Sequence, residues 1–403
     1  KSIFDFFPSA VNSHGPACTW PSPATTAPND KPSAANILTA ETFHPATDRC
    51  KSLRIALGQA AAGACPLYVV QLMFAAMKPL MFARGLFALG LGLGLAKGTA
   101  TAAKGAKVVK AFGHENCIEL KNKTTRVVLT PSGGRVLSYE INGMNALYLS
   151  ESDSQGKGGS SAGRFDIGPE RMLPRHDLLW SGPYTGEVTG NRLAKFTSGK
   201  DKATGFQIVR EFRLAAKGTH LRIKQTVINV SDKTSQVCYW CRTFVHGQGI
   251  CVVPVTGYSR MPRKHVIYEN GTTVNFLPED EKISQRDGYV LVEGPPRMPK
   301  LGFDSKAGWM AYLMRNDLLF VKGWPTYPKR PYNEMAGLTL SIWYPDGPMC
   351  ELEPIGPQEI LKPGEKASFT EDWWVADEKF PGDAKSVDLG KLEAKVKKLT
   401  GRK

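Results

Sequence analysis

Turn-forming residues interrupt this chain so often that little except short strands fits between them. Its 403 residues include 28 prolines and 40 glycines, spread along the length as punctuation. Proline cannot donate to a ladder or continue a helix, and glycine accepts backbone angles that end regular elements. Runs of roughly four to eight residues bounded by such breaks read as strands. With 42% hydrophobic residues the chain can bury a sizeable core. The pattern predicts an all-β chain folded as one large antiparallel β-sandwich.

The first hundred residues stand apart. Residues 1–76 are rich in Pro, Ala, Ser and Thr, have no sustained apolar period, and read as a spurious or disordered extension. A short basic head, Met77 to Arg84, then precedes an apolar run from Gly85 to Ala96, too short to span a bilayer. Ala100-Thr101-Ala102 supplies a small-residue cleavage site, completing the order of a secretory signal peptide over 77–102. The expectation is translation from Met77, cleavage after Ala102, a periplasmic or secreted product, and no stable membrane span after cleavage. A flexible linker is expected over 103–116, the sandwich over 117–378, and a tail over 379–403. Leu389, Leu392, Val396 and Leu399 place a short C-terminal helix in that tail.

The formal net charge of +15 is compatible with nucleic acid, an anionic surface or an acidic polymer. No basic helix, zinc-finger spacing or RNA-binding signature makes nucleic acid specific, so no nucleic-acid partner is expected. Nothing matches a P-loop, a dinucleotide fingerprint or a zinc-ligand helix, so neither cofactor nor metal is expected. Beyond the signal lie Cys117, Cys238, Cys241, Cys251 and Cys350. Export permits disulfides, but an odd number leaves a thiol over. Cys238 and Cys241, three apart in a strand-like run, point to opposite faces and read as packing residues rather than a redox pair.

Arg135–Ile141 alternates and ends at Asn142-Gly143, a hairpin signal. Residues 150–163 are Ser/Gly-rich and read as an exposed loop. The stretch from Arg164 to Trp180 is dense in functional groups: Asp166, Glu170, Arg175, His176 and Trp180. A proline-rich insertion follows over 256–300, and an aromatic loop begins at Trp324. Near the C-terminus, alternation puts Glu351 and Glu353 on one strand face and Cys350 and Leu352 on the other. Two carboxylates one pleat apart either face water or line a polar site. Pro363-Gly364 suits a type II turn after them.

Gly133-Gly134-Arg135-Val136-Leu137-Ser138-Tyr139, the run Gln225 to Asp232 with its Asn-x-Ser-Asp turn, and Cys350-Glu351-Leu352-Glu353 resemble strands of the galactose mutarotase-like superfamily. Phe165 to Glu170, Leu178 to Pro183, Trp240 to Phe244, Cys350 to Pro357 and Trp373-Trp374 are most similar to an uncharacterised bacterial branch of it, a domain of unknown function. The resemblance implies a mutarotase-like supersandwich with a sugar-facing groove on one sheet, and a saccharide or polysaccharide as partner. It places Glu353 at the position of the general base and His176 at that of an earlier sugar-site histidine. Arg242 stands where the superfamily has its acid histidine, and a guanidinium stays protonated near neutral pH. His246 shares strand parity with Trp240, Arg242 and Phe244 and is a replacement acid on that reading.

Glu353 and His176 are thus the catalytic candidates. Arg242, Trp240, His246, Glu351, Glu170, Arg175, Trp180 and Trp324 are the candidate sugar-binding residues. Arg242, in an otherwise apolar strand, needs a partner, and Glu353 or Glu351 is the candidate; the expectation is that it meets Glu353 across neighbouring strands and holds its carboxyl low. The leading function is an exported bacterial protein that binds a saccharide. Two alternatives stand beside it: an aldose-1-epimerase-like or glycoside-active enzyme using Glu353 as base, and a non-catalytic scaffold.

Overall fold

The structure is a computed structural model that describes residues 103–401, except 256 and 270–272. The proposed extension and signal peptide lie outside the described residues. Among those described, the strands form two antiparallel sheets, one of thirteen strands and one of ten. The all-β sandwich expected from the sequence is the observed architecture.

Five neighbouring strands of the larger sheet matter most. In spatial order they are Gly163–Gly168, Ser235–His246, Met349–Pro354, Leu340–Trp343 and Lys300–Phe303. Each alternates in the same phase. Phe165, Ile167, Tyr239, Cys241, Cys350, Leu352, Leu340, Ile342, Leu301 and Phe303 all enter the apolar core between the sheets. The smaller sheet answers with Ile223, Val227, Phe320, Phe369 and Trp373. One-residue slips would invert a whole strand, so this common phase sets the register.

The outer face of the smaller sheet is covered by the C-terminal helix Leu389–Thr400. Asp388 caps it, accepting from the Lys391 backbone N–H at 2.9 Å, and Gly401 closes it at φ 66°. Leu389, Leu392 and Val396 pack against a patch that includes Leu319, Val321 and Trp374. Burying such side chains stabilises the docked helix by about 1.5–3 kcal/mol each. Trp373 and Trp374 therefore serve opposite faces of one strand, the inter-sheet core and the helix.

The turns fall where the residues ask for them. Asn142 and Gly143 both have positive φ, as the tightest hairpin turns require, and Gly364 has φ 79°. Cys238 and Cys241 do face opposite sides: Cys241 belongs to the inter-sheet core, Cys238 to a smaller apolar cluster. That smaller cluster uses Met261, Val266 and Tyr268 from the proline-rich insertion, whose strand Val266–Glu269 extends the larger sheet beside Lys300–Phe303.

Two local expectations need correction. The stretch 103–116 is not all linker, because Ala106–Ala111 already forms an edge strand paired with His114–Lys121. Its Lys/Ala composition gives too weak an apolar alternation to announce a strand. Nor is 150–163 simply an exposed loop. Asp153 is fully buried there, accepting from Arg135 at 2.8 and 3.1 Å and from the Ser161 backbone N–H at 2.8 Å. A Ser/Gly-rich composition does not reveal one buried carboxylate whose partner lies elsewhere in the chain.

Candidate functional site

The five strands that send apolar side chains inward send polar ones outward. On the outer face, Ser341 sits opposite Glu353, and the register of the 235–246 and 349–354 strands puts Arg242 on the other side of Glu353. Arg164 is opposite Arg242. The neighbouring rows carry Lys300, Trp343 and Glu351 on one side and Trp240 and Asp166 on the other. Two arginines face to face would repel, and the carboxylates around them resolve this.

Arg242 grips Glu351 with both arms of its guanidinium, Nε to Oε1 at 2.7 Å and Nη2 to Oε2 at 3.0 Å. It also reaches Glu353 Oε1 at 3.6 Å and Asp166 Oδ2 at 3.5 Å. Asp166 in turn accepts from His176 Nε2 at 2.8 Å, while His176 Nδ1 lies 2.7 Å from the Pro174 carbonyl. Lys300 donates to the other oxygen of Glu353. The tryptophans cover these cations. Trp180, on the short helix Asp177–Trp180, lies over Arg164 at 3.3 Å and Arg242 at 5.0 Å. Trp240 takes Arg242 at 4.8 Å and Lys300 at 4.9 Å. Such contacts gain most in desolvated places.

Burial raises the Glu353 carboxyl to about 7, helped by Glu351 and opposed by Lys300 and Arg242. Burial works the same way on Glu351, but the bidentate Arg242 overcomes it and holds that group down, near 2. This reverses the sequence expectation for Glu353. The guanidinium does lie within reach of it, yet its hydrogen bonds go diagonally to Glu351. His176 is lifted to about 9: desolvation lowers it, and the bond to Asp166 more than compensates. At neutral pH the imidazole is therefore a cation with both ring N–H groups committed.

The sequence candidates divide on this geometry. Glu353, Glu351, Arg242, Trp240, His176 and Trp180 converge. Arg175 points into solvent and pairs with Asp177 at 2.7 Å. Glu170 enters through its backbone N–H, which donates to Glu334 at 3.1 Å. His246 is four residues beyond Arg242, roughly 13 Å along the strand. It is exposed there, edge-on to Tyr148 at 6.0 Å, so it does not take the place of the missing acid. Trp324 is buried in the inter-sheet core and has no ring face open to a sugar.

Arg164 and Lys300 were not among the sequence candidates. The parity of Arg164 with Asp166 was a usable signal for the first. Lys300 ends an irregular insertion, and nothing local marks it. The cluster is closed: neither glutamate has exposed side-chain surface, Arg242 is 7% exposed, and Lys300, at 21%, is the most open of its ion-pair partners. Four buried polar atoms in it have no hydrogen-bond partner: Glu353 Oε1, Trp240 Nε1, and Nε and Nη2 of Arg164. A cleft of about 320 Å³ opens on the same face, with Thr339 in its wall, two residues along the strand from Ser341.

No protein-family model matches the chain, and no curated protein matches its sequence. Among solved structures it is similar to a proposed aldose 1-epimerase from Escherichia coli, with 10% identity and a TM-score of 0.49, over 64% of this chain and 98% of that one. A galactose mutarotase-like protein from Lactobacillus casei gives 10% and 0.47, over 64% and 100%. Another from Clostridium acetobutylicum gives 11% and 0.45, over 68% and 99%.

Proposed function

We propose that this chain is an exported saccharide-binding protein whose sugar site is the outer-face cluster around Glu353. The observation that carries the reading is a group of polar atoms without hydrogen-bond partners gathered in one charged shell: an acceptor, Glu353 Oε1, and the donors Trp240 Nε1 and Arg164 Nε and Nη2. Buried polar groups are ordinarily satisfied, and an exception calls for an occupant. A hydroxyl both donates and accepts, so a polyhydroxylated ring fits the acceptor and the donors alike. Lys300 lies across Glu353 and Trp240 and is the side chain that a ligand displaces. Export rests on the signal-like order of residues 77–102.

A second reading, an aldose-epimerase-like proton transfer, is favoured by one observation. Glu353, raised to about 7, is suited to a general base near neutral pH. In that reading Glu353 takes the proton of the anomeric hydroxyl while a cationic group donates to the ring oxygen. Against it, both N–H groups of His176 are already engaged, and Arg242 does not exchange its proton. Binding without turnover is therefore the first reading. Calorimetry with neutral and acidic sugars, run beside polarimetry of the same mixtures, tests both. Glu353→Gln should abolish binding. Catalysed mutarotation lost in that variant would replace the first reading with the second, and an unchanged affinity would remove both.

A further inference from the structure

We infer that the 320 Å³ cleft beside the cluster is a second sugar subsite, built for a unit bearing a carboxylate or sulfate. This rests on the saccharide reading of the Glu353 site. The cleft shares the outer face of the larger sheet. Its wall includes Thr339, whose N–H and C=O continue the ladders to Phe303 and Ile355. Leu338 lies over Gly302 between the two places, so an occupant reaching both passes across it.

The lining is mixed in a way that suits a sugar ring. Tyr258, Tyr327 and Tyr332 supply aromatic surface, and Tyr258 is 79% exposed. A ring that open gains nothing from the core, while its flat face at a cleft mouth offers a platform for the C–H side of a pyranose. The charges are not evenly met. Arg260 approaches Asp304 at 3.7 Å and donates to the Ala336 and Gly337 carbonyls, at 3.1 and 2.8 Å. Arg330 is matched by Glu359 at 2.7 Å. Lys306 is exposed and has no acidic partner among the described residues. The cleft therefore presents one open positive charge beside aromatic platforms, and an anionic group completes it. The excess of base persists in residues 103–403, the exported part on this reading, with 44 Lys and Arg against 33 Asp and Glu.

The test is calorimetry on the full chain with a trigalacturonate, the matching neutral trisaccharide, a sulfated trisaccharide and galactose. Trigalacturonate or the sulfated sugar should bind about tenfold or more tightly than the neutral one. Whichever of those two binds more tightly identifies the anionic group. Lys306→Glu should erase that preference, and Tyr258→Ala should weaken all three trisaccharides about tenfold without affecting galactose. Both residues are exposed, and unchanged thermal unfolding will show that the variants remain folded. Equal affinity for acidic and neutral trisaccharides overturns the inference, as does insensitivity to both variants. If Glu353→Gln abolishes all binding while Lys306→Glu changes nothing, the subsite falls and the Glu353 site stands. If Glu353→Gln is silent while Lys306→Glu erases the preference, the cleft stands and the Glu353 site falls. Binding of none of the four sugars overturns both.

Discussion

Two buried charge networks share the same pair of strands and differ in what they join. On the inner face of the 235–246 and 349–354 strands, Lys322 comes across from the smaller sheet. Its ammonium donates to Thr243 Oγ1 at 2.8 Å and the Leu352 carbonyl at 3.2 Å, and pairs with Glu371 at 3.0 Å. Gln225 links Glu371 to Arg210 by bonds of 2.9 and 2.8 Å, and Arg210 goes on to the Gly134 carbonyl at 2.7 Å. On the outer face, Arg164, Arg242, Lys300 and protonated His176 surround Asp166, Glu351 and Glu353, and a Glu353 oxygen, the Trp240 indole N–H and two Arg164 nitrogens are left without hydrogen bonds. The inner ammonium has its partners in the protein itself and ties two sheets together. The outer network sits on one sheet, beneath the partly exposed Lys300. Burial of charge is common to both and marks neither as functional. Each also leaves buried polar atoms without a hydrogen-bond partner, Arg210 Nη2 and Glu371 Oε2 on the inner face, so what separates them is position: the inner network joins the two sheets, and the outer one lies under the partly exposed Lys300.

The largest test of that contrast is Lys322→Ala. It strands Glu371 in the core and should cost about 3–5 kcal/mol of stability, read from urea unfolding midpoints. Lys322→Met combined with Glu371→Leu should recover most of it. A loss below about 1 kcal/mol for the single variant would mean that the inner network is not structural.

Next in size is the pH dependence contributed by Glu353. The folded protein holds this proton up to about 7, whereas an unfolded glutamate releases it near 4.5. Its stabilising contribution is therefore complete below 4.5 and is lost as pH rises through 7. Between pH 5 and pH 8 the parent should lose on the order of 2–3 kcal/mol relative to Glu353→Gln. Parallel pH profiles of the two proteins would show Glu353 ionised throughout and contradict this.

Arg242→Lys keeps the charge but not the two-armed grip on Glu351. We expect about 1–2 kcal/mol of lost stability and no sugar binding, since a point charge cannot hold three carboxylates in place. Full retention of affinity would show that the geometry of this guanidinium is dispensable. The smallest expected effect on stability is that of Lys300→Ala, below about 1 kcal/mol, because the pair is partly solvated. The same change removes a cation that lowers the Glu353 pKa, so the carboxyl should titrate above 7, as followed by NMR. A downward shift would contradict the assigned contact.

Much of this was legible along the chain. Parity alone placed Glu351 with Glu353, and Trp240 with Arg242. Turn residues located the Asn142-Gly143 and Pro363-Gly364 reversals. The misses have a common cause. His246 shares parity with Arg242, but parity says nothing of distance along a strand. Trp324 follows a core-facing strand, and whether a ring is open or buried depends on the opposite sheet.

By itself the sequence determined the sandwich, the phase of its central strands and the C-terminal helix, because these follow from period-2 and helical repeats read locally. Only the tertiary structure decided which carboxylate Arg242 holds, and so which of two adjacent glutamates stays ionised. A diagonal reach of two residues, and a lysine arriving from 53 positions away in sequence, set the local field. Side-chain direction and desolvation are properties of the assembled sheet, and no spacing in the chain encodes them.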